Sequence, residues 1–544
     1  MRELDAIVIG SGFGGTMAAH ELVQAGMRVL MLERGTWVRR GLHNWGPRGS
    51  VDLTPHYSFD TPYRVEDGRR TRVLGGYACV GGPSVFFGGV TFRLREDDFV
   101  PAPEIVGDSG AEWPLRYDDL EPWYARAERL MGVAGELGPD PTEPPHSTPY
   151  PQRPAPLTPT PRRLERAARE LGWHPSRLPL AINYDSTERA ACIGCTACDT
   201  FACAISAKND LATGMLPRLM ARGLTLMPDT VAVRLVERGG RIAAVECVDK
   251  ASGRRTTFSA RLFLLSAGAL ASPHLLLASG LDRLNPAADA IGRYLTRHVN
   301  GMTFAYVPDL PDRGRQFHKQ LGFNDFYFGD PQARGVRGKL GSIQQLQAPP
   351  RELVGANVPL ALKPLAGLVA SGFDRVTGLL AMAEDQPRAE NRMTIDRTGG
   401  SDAFGLPRVV IHHRHTPRDH AARRALLART RTLLKAAGAR VFYTHISWTF
   451  SHAAGTVRFG NDPRTAPLDP WCRFRGLENL FVVDASVLPT GGGVNPSLTI
   501  AANALRVGEA IAHHRLPAPE EASCRKPSRA HSMSRSSAVA SPPS

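Results

Sequence analysis

Long hydrophobic runs are the first thing this 544-residue chain lacks. No stretch reaches the roughly 18 apolar residues that a transmembrane helix requires. The N-terminus also lacks the apolar region and cleavage site of a secretory signal, because Arg2–Asp5 lead directly into the apolar run Ala6–Ile9. We therefore expect a soluble, cytoplasmic protein with no membrane span.

Cysteine is also scarce, since eight residues in 544 are too few for a disulfide scaffold. Four of them nevertheless form one cluster, Cys192-x2-Cys195-x2-Cys198-x4-Cys203. Thiolates at such spacing can hold an iron–sulfur cluster or zinc. The run has one residue more than the bacterial ferredoxin pattern, and Ala204 replaces its proline. A thiol-rich structural loop is the favoured interpretation, and a metal or cluster stays an alternative.

Concentrated charge is absent as well. The 66 Lys and Arg residues exceed the 52 Asp and Glu residues, giving a formal net charge of +14. The basic residues are scattered and are not interleaved with aromatic residues, which argues against a nucleic-acid partner. The 42% hydrophobic and 22% charged residues are values typical of globular proteins. An anionic partner or substrate stays open.

A glycine-rich motif opens the chain. Gly10-Ser-Gly12-Phe-Gly14-Gly15 fits G-x-G-x-x-G, follows the apolar run Ile7–Ile9 and precedes a predicted helix over Thr16–Ala25. A second predicted strand, Arg28–Leu32, then ends in an acid, Glu33. This order predicts a dinucleotide-binding βαβ unit.

Each part of this unit has a physical task. Gly10 permits the tight turn, Gly12 lets the backbone approach a pyrophosphate, and Gly15 allows close packing of helix on sheet. The helix N-terminus offers free N–H groups to the phosphates. Glu33 can accept hydrogen bonds from both ribose hydroxyls and disfavours a 2′-phosphate, so FAD or NAD is expected and not NADP.

Three further segments resemble the glucose–methanol–choline (GMC) oxidoreductase family. They are Val80–Val90, the run Gly268-Ala-Leu-Ala-Ser-Pro273 to Leu281, and a C-terminal set made of Ser451–Gly460, Asn479–Pro489 and Asn495–Thr499. With the opening motif they cover residues 4 to 514 in the family's order. The Gly-Ser-Gly-Phe-Gly-Gly opening is similar to the cholesterol-oxidase-like side of the family.

The resemblance implies a mixed α/β fold, with a Rossmann-like FAD-binding domain interleaved with a substrate domain on a large antiparallel or mixed sheet. We expect the FAD domain over 1–280, with Pro-rich and Cys-rich insertions at about 134–210. The substrate domain is expected over 281–440. Residues 441–514 would complete the FAD domain and active site, and 515–544 would form a disordered tail.

The resemblance also implies the residues that bind FAD. Phe13, Gly14 and Glu33 would contact the ADP part, and the backbone of Val231 would meet the adenine. The remaining contacts, to the ribityl chain or pyrophosphate and to the flavin ring, would come from Gly82, Ser84, Asp484, Asn495 and Pro496. Two positions depart from the family, Phe87 where Asn is frequent and Pro83 where Gly or Ser is common. No histidine lies in 71–93, so a noncovalent FAD is expected.

Alcohol oxidation needs a group that takes the hydroxyl proton, and histidine suits this task because its pKa lies near neutral pH. By the resemblance His452 is the candidate base, and Asn495 would orient the substrate oxygen. His445 lies close in sequence and is an alternative base. The alternative for Asn495 is a simple turn role before Pro496.

The run His412-His-Arg-His415 raises the question of a metal site. It lies in a segment with strand-like alternation, so we expect a solvated strand there and no metal.

These observations favour an FAD-dependent alcohol oxidase or dehydrogenase that converts CH–OH to C=O. Its partners would be a small-molecule alcohol and an electron acceptor, O₂ or another. Three alternatives stay open: an electron-transferring dehydrogenase with an iron–sulfur cluster, a non-redox flavin lyase or isomerase, and an NAD-dependent dehydrogenase. The sequence does not distinguish sugars, sterols, aliphatic alcohols and aminoglycoside-type precursors as substrates.

Overall fold

A computed structural model gives the architecture of the chain. It describes residues 3–516 except 47–48, 51–53, 69, 186–187, 311–315, 349–363, 365–366, 368–371 and 397. The predicted tail lies outside the described residues from 517 onward. Among the described helices, none is long and apolar enough to cross a membrane.

The strands in chain order are β1 (Leu4–Ile9), β2 (Val29–Leu32), β3 (Tyr57–Glu66), β4 (Thr71–Tyr77), β5 (Ser176–Arg177), β6 (Thr225–Met227), β7 (Thr230–Arg238), β8 (Arg241–Asp249), β9 (Arg255–Phe258), β10 (Ala260–Leu265), β11 (Val299–Tyr306), β12 (Leu321–Phe323), β13 (Gly341–Leu346), β14 (Val376–Ala383), β15 (Arg392–Ile395), β16 (Val409–His412), β17 (Val441–Ile446) and β18 (Leu480–Val482). The α-helices are α1 (Phe13–Gln24), α2 (Pro103–Val106), α3 (Tyr117–Leu130), α4 (Pro159–Glu170), α5 (Leu211–Gly214), α6 (Leu216–Ala221), α7 (Ala271–Ala278), α8 (Pro417–Ala436) and α9 (Ser497–Ala512).

The first sheet, which contains the predicted βαβ unit, is parallel and has the order β18-β10-β1-β2-β6. Its inner strands are apolar runs with almost no exposed residue, as expected for a parallel sheet covered on both faces. Strands from both ends of the chain meet in it, since Phe263 pairs with Ile7 on one side and with Leu480 on the other. The predicted mixed α/β fold with a Rossmann-like, interleaved FAD domain is confirmed.

A second, antiparallel sheet has the order β17-β11-β14-β13-β12-β5. On one face Val299 and Ala305 pack against Leu426 and Leu433 of helix α8. The opposite face carries an apolar cluster of Leu346, Leu380, Met382, Met302 and Phe304. Because side chains alternate along a strand, Gln344 lies on the same face as Leu346. This face meets the candidate active site.

The edge strands of this second sheet come from outside residues 281–440. β17 begins at Val441, and β5 lies far upstream at Ser176–Arg177. Two smaller sheets, β15-β16-β3-β4 and β7-β8-β9, complete the strands.

The C-terminal helix α9 packs along α1. The approach is close, since a Cβ added to Gly508 would lie 3.0 Å from Cα of Ala18. The helix begins at Ser497, two residues after Asn495. Packing against α1 therefore anchors the segment that carries the predicted catalytic asparagine.

Candidate active site

The turn between β1 and α1 has the geometry of a phosphate-binding loop. Gly10 has φ +103°, and a Cβ there would meet the carbonyl oxygen of Ser266 at 2.2 Å, so only glycine fits. A Cβ on Gly12 would meet nothing within 4 Å, so space is open beside this residue. The first helical hydrogen bond runs from the Thr16 N–H to the Gly12 carbonyl. The N–H groups of residues 13–15 therefore have no acceptor within the helix and suit a pyrophosphate.

Glu33, the acid that follows β2, is buried and accepts several hydrogen bonds. Glu33 accepts hydrogen bonds from the Ser11 N–H (3.1 Å), the Ser11 hydroxyl (2.6 Å) and the Gly35 N–H (2.8 Å). Burial raises the pKa of its carboxyl, and these donors oppose that rise. Oε2 accepts both Ser11 bonds, while Oε1 accepts only the Gly35 N–H and can accept a further bond from a ribose hydroxyl.

The other predicted nucleotide residues surround this turn. A Cβ on Gly82 would lie 3.1 Å from Cα of Gly12, and a Cβ on Gly14 would lie 1.8 Å from the Val483 carbonyl oxygen, next to Asp484. The strand residue before Val231 donates its N–H to the backbone carbonyl of Glu33, which brings Val231 to the same end of the sheet.

The ring of Phe13 lies 5.5 Å from that of Phe87, and Gly15 packs so closely that a Cβ would meet the Gly10 carbonyl oxygen at 2.0 Å. The Ser84 hydroxyl donates to the Gly81 carbonyl, which holds the Gly-rich loop. Asp484 accepts the Gly268 N–H at 2.9 Å. These close approaches fit an FAD that spans from Glu33 to the Gly-rich loop.

The structure brings His452 and Asn495 together across 43 residues of chain. Nδ2 of Asn495 lies 3.5 Å from Nε2 of His452, and Oδ1 of Asn495 accepts a hydrogen bond from Nε2 of Gln344 at 2.8 Å. The alternative base, His445, is exposed on edge strand β17, where it pairs with Met302. Asn495 therefore has side-chain contacts to both His452 and Gln344, in addition to its position before Pro496.

A second histidine, His298, contacts His452, although no sequence motif singled it out. Nδ1 of His298 lies 3.0 Å from Nδ1 of His452, and Nε2 of His298 lies 2.8 Å from the Gly492 carbonyl oxygen. Burial, followed by the neighbouring His298 and Lys319, lowers the pKa of His452 to about 3. His452 is therefore neutral at physiological pH, with a lone pair on one of its two ring nitrogens.

Buried acids at the end of β14 hold the loop around these histidines. Glu384 accepts the Gly492 N–H at 2.8 Å and pairs with Lys339, which also pairs with Asp98. The hydroxyl of Tyr327 donates to Asp98 at 2.8 Å and accepts the N–H of the residue after Gly492. This network fixes the glycine loop that leads into Asn495.

The prediction of a solvated strand over His412–His415 is wrong. β16 ends at His412, and the chain then turns inward, so that His413 is buried and His415 is half-buried. Their Nε2 atoms lie 3.8 and 3.7 Å from Oδ2 of Asp385, so the three side chains could in principle surround an ion. Nε of Arg297, however, donates to Nδ1 of His413 at 3.2 Å. That bond places the proton of His413 on Nε2, which then has no lone pair for a metal.

The four-cysteine cluster forms a loop beside the Gly-rich loop. Cys192, Cys195, Cys198 and Cys203 are all free thiols, and no three of these sulfurs lie close enough to share one ion. Burial raises the pKa of Cys192 to about 11 and that of Cys198 to about 12, so both are protonated at neutral pH. The structural interpretation of this loop stays a prediction, with a metal or iron–sulfur site as its alternative.

A buried lysine joins this loop to the Gly-rich loop. Nζ of Lys208 donates to the backbone carbonyls of Val85 (3.3 Å), Phe87 (2.6 Å), Cys198 (3.2 Å) and Phe201 (2.7 Å). Next to it, Asp199 of the cysteine loop pairs with Lys319. A single ammonium group therefore ties together two segments more than a hundred residues apart in the chain.

Comparison with known proteins agrees with this geometry. Two sequence profiles, both described as GMC oxidoreductase, match residues 4–300 and 387–504. The 6'''-hydroxyparomomycin C oxidase of Streptomyces lividus is 33% identical over 540 residues, which cover 94% of this chain and 92% of that protein. The paromamine 6'-oxidase of Streptomyces fradiae is 30% identical over 537 residues, with the same two coverages.

Among solved structures, pyridoxine 4-oxidase from Mesorbium loti superposes with a TM-score of 0.62 at 21% identity. The superposition covers 94% of this chain and 99% of that one, and it shows a common fold.

Proposed function

The chain belongs to the GMC oxidoreductase family, and on that premise we propose that it uses FAD to oxidise an alcohol to a carbonyl with His452 as the base. The observation that supports this most directly is the His452–Asn495 pair, with Nε2 of the histidine 3.5 Å from the amide nitrogen. The pair lies at the start of α9 and beside the antiparallel sheet.

Bound FAD supplies the acceptor for the hydride that leaves the carbinol carbon. Nε2 of His452 takes the hydroxyl proton, because the ring is neutral and this nitrogen lies beside the Asn495 amide. The Asn495 amide donates to the substrate oxygen as negative charge develops there. Gln344 holds that amide in place through Oδ1. O₂ or another acceptor then removes the two electrons, which completes the turnover.

Polar atoms on the sheet support a substrate rich in hydroxyl or amino groups. Oε1 of Gln344 and Oδ1 of Asn300 are buried and accept no hydrogen bond from the described residues. A buried amide oxygen without a donor is unfavourable, and a substrate hydroxyl or amine would satisfy it. The two relatives named above act on paromamine and on 6'''-hydroxyparomomycin C, so these compounds are the first substrates to test.

Anaerobic mixing with these two compounds and with a panel of sugars, sterols and aliphatic alcohols tests the proposal. Bleaching of the oxidised flavin by an alcohol, with formation of the aldehyde or ketone, is expected, and it would also exclude a non-redox lyase or isomerase. Admission of air and assay for H₂O₂ then separates O₂ from other acceptors. Protein purified without flavin absorbance would refute the proposal.

We predict that the FAD is noncovalent. No histidine lies in residues 71–93, which contain the Gly-rich loop where some members of the family carry a covalent histidine link. Acid precipitation of the purified protein should release all flavin absorbance into the supernatant. Yellow colour retained in the washed precipitate would contradict the prediction.

The pH dependence of flavin reduction should lack an ionisation near pH 6.5. The pKa of His452 is lowered to about 3, so the neutral base is present throughout the range above that value and is lost only as pH falls through it. Stopped-flow reduction by a saturating alcohol should therefore be constant on the acid side between about pH 5 and 7. A tenfold fall per pH unit below about 6.5 would show that His452 titrates normally.

A further inference from the structure

His298 is buried and has an unusual backbone conformation. Its side chain is buried, with 2% of the residue exposed, and its backbone has φ +62°, a left-handed conformation that is uncommon for residues other than glycine. Such a conformation persists only where the surroundings enforce it.

Two adjacent acids at the end of β14 enforce it. The carboxylate of Asp385 accepts the N–H of Arg297 at 2.9 Å and the N–H of His298 at 3.0 Å, which holds the backbone. Glu384 accepts the N–H of Gly492, whose carbonyl oxygen in turn faces Nε2 of His298. Backbone and ring of His298 are therefore anchored from the same strand end.

The directions of the two hydrogen bonds made by the His298 ring follow from its contact with the Gly492 carbonyl oxygen. The Gly492 carbonyl oxygen can only accept, so Nε2 of His298 carries a proton. In a neutral His298, Nδ1 is then a lone pair, and the 3.0 Å contact requires Nδ1 of His452 to be the donor. A neutral His452 that carries its proton on Nδ1 has its lone pair on Nε2, the atom beside Asn495.

We propose that His298 is a positioning residue that holds His452 in the tautomer whose Nε2 accepts the substrate proton. This proposal rests on the proposed function, in which His452 is the base. The logic is that of catalytic triads, where a third group orients the histidine, and where a variant with the wrong tautomer loses about 10⁴-fold in kcat. Here the imidazole of His298 does this, in place of a carboxylate.

The proton transfer balances within this arrangement. The O–H bond of the alcohol breaks, an N–H bond forms at Nε2 of His452, and the C–H bond releases its hydride to the bound FAD. His452 becomes an imidazolium that continues to donate from Nδ1 to His298. The opposite tautomer would present an N–H to the hydroxyl and could not take the proton.

Two near-isosteric variants of the holoenzyme separate this role from a structural one. In His298→Asn, Oδ1 stands close to the position of Nδ1 and keeps the acceptor for His452. In His298→Gln, Nε2 keeps the donor to Gly492 but no acceptor remains at the Nδ1 position. We expect the rate of flavin reduction to stay within about tenfold of wild type in His298→Asn and to fall by about 10²- to 10³-fold in His298→Gln. Flavin content and KM should be unchanged in both.

The tautomer can be read directly by NMR of the holoenzyme with ¹⁵N-labelled histidine rings. The His452→Gln variant identifies which signals belong to His452. Wild type and His298→Asn should show His452 protonated on Nδ1 alone, and His298→Gln should show a mixture or Nε2 protonation. Equal rates in wild type and His298→Gln, equal losses in both variants, or unchanged His452 signals in His298→Gln would overturn the proposal.

If neither variant folds, the wild-type spectrum decides, because protonation of His452 on Nε2 would itself overturn the proposal. If no alcohol bleaches wild type, the proposed function fails, yet the ring signals still test the tautomer.

Discussion

Replacing His452 with alanine should lower the rate of flavin reduction by an alcohol by about 10²- to 10⁴-fold, the usual contribution of a positioned general base. The base is lost because Nε2 of His452 is the nitrogen beside Asn495, and its neutral ring is the group able to accept the hydroxyl proton there. Stopped-flow absorbance under anaerobic conditions measures this step before any electron acceptor is involved.

The same variant should keep its FAD. Most of the predicted FAD contacts, from Glu33 and the Gly10–Gly15 turn to Asp484, have other partners, and only Asn495 among them has a hydrogen-bond contact with His452 in the described residues. The matched control is His445→Ala, which removes a histidine seven residues away on an exposed edge strand and should leave the rate unchanged. Wild-type kinetics in His452→Ala, or a large loss in His445→Ala, would place the base elsewhere.

The nucleotide-binding unit was predictable because its determinants are local. Gly10, Gly12 and Glu33 lie within one strand–helix–strand unit, and each glycine is required by a contact that a Cβ would violate or by an approach that it would block. The pairing of His452 with Asn495 was predictable only by resemblance, since no local pattern joins residues 43 positions apart.

His298 was missed for a physical reason. It is 154 residues from His452 in the chain, and its role depends on a hydrogen bond to a backbone carbonyl, which no side-chain motif encodes. The inward placement of His413, which is buried, and of His415, which is half-buried, was missed because alternation was extended past the end of β16 at His412. Beyond His412 the chain leaves strand geometry. An alternation of inward and outward side chains therefore predicts the wrong orientation for His413 and His415.

The burial of Lys208 is a further feature that the sequence did not predict. It follows the cysteine cluster in the segment Ser206-Ala-Lys208, yet a lysine is rarely fully buried without charged partners. Here four backbone carbonyls surround its ammonium group, and only 1% of the residue is exposed. Their convergence depends on the folded positions of the Gly-rich loop and the cysteine loop.

Replacing Lys208 with methionine should therefore destabilise the holoenzyme by about 3 kcal/mol or more, because a buried carbonyl that loses its donor costs about 1–3 kcal/mol. Methionine keeps the length of the side chain but supplies no donor, so the carbonyls of Val85, Phe87, Cys198 and Phe201 lose a common partner. Each carbonyl left without a donor contributes to the loss of stability. A lower urea midpoint, followed by flavin fluorescence and by far-UV circular dichroism, measures the effect.

The position of Lys208 also predicts the order of events during unfolding. Val85 and Phe87 belong to the loop that the family resemblance places beside the flavin, so flavin release should precede the loss of helix signal in Lys208→Met. The matched control is Lys250→Met, which removes a half-exposed lysine paired with Asp60 at 2.8 Å and should cost less than about 1 kcal/mol. Equal urea midpoints for Lys208→Met and Lys250→Met would mean that the two loops hold together without the buried ammonium group.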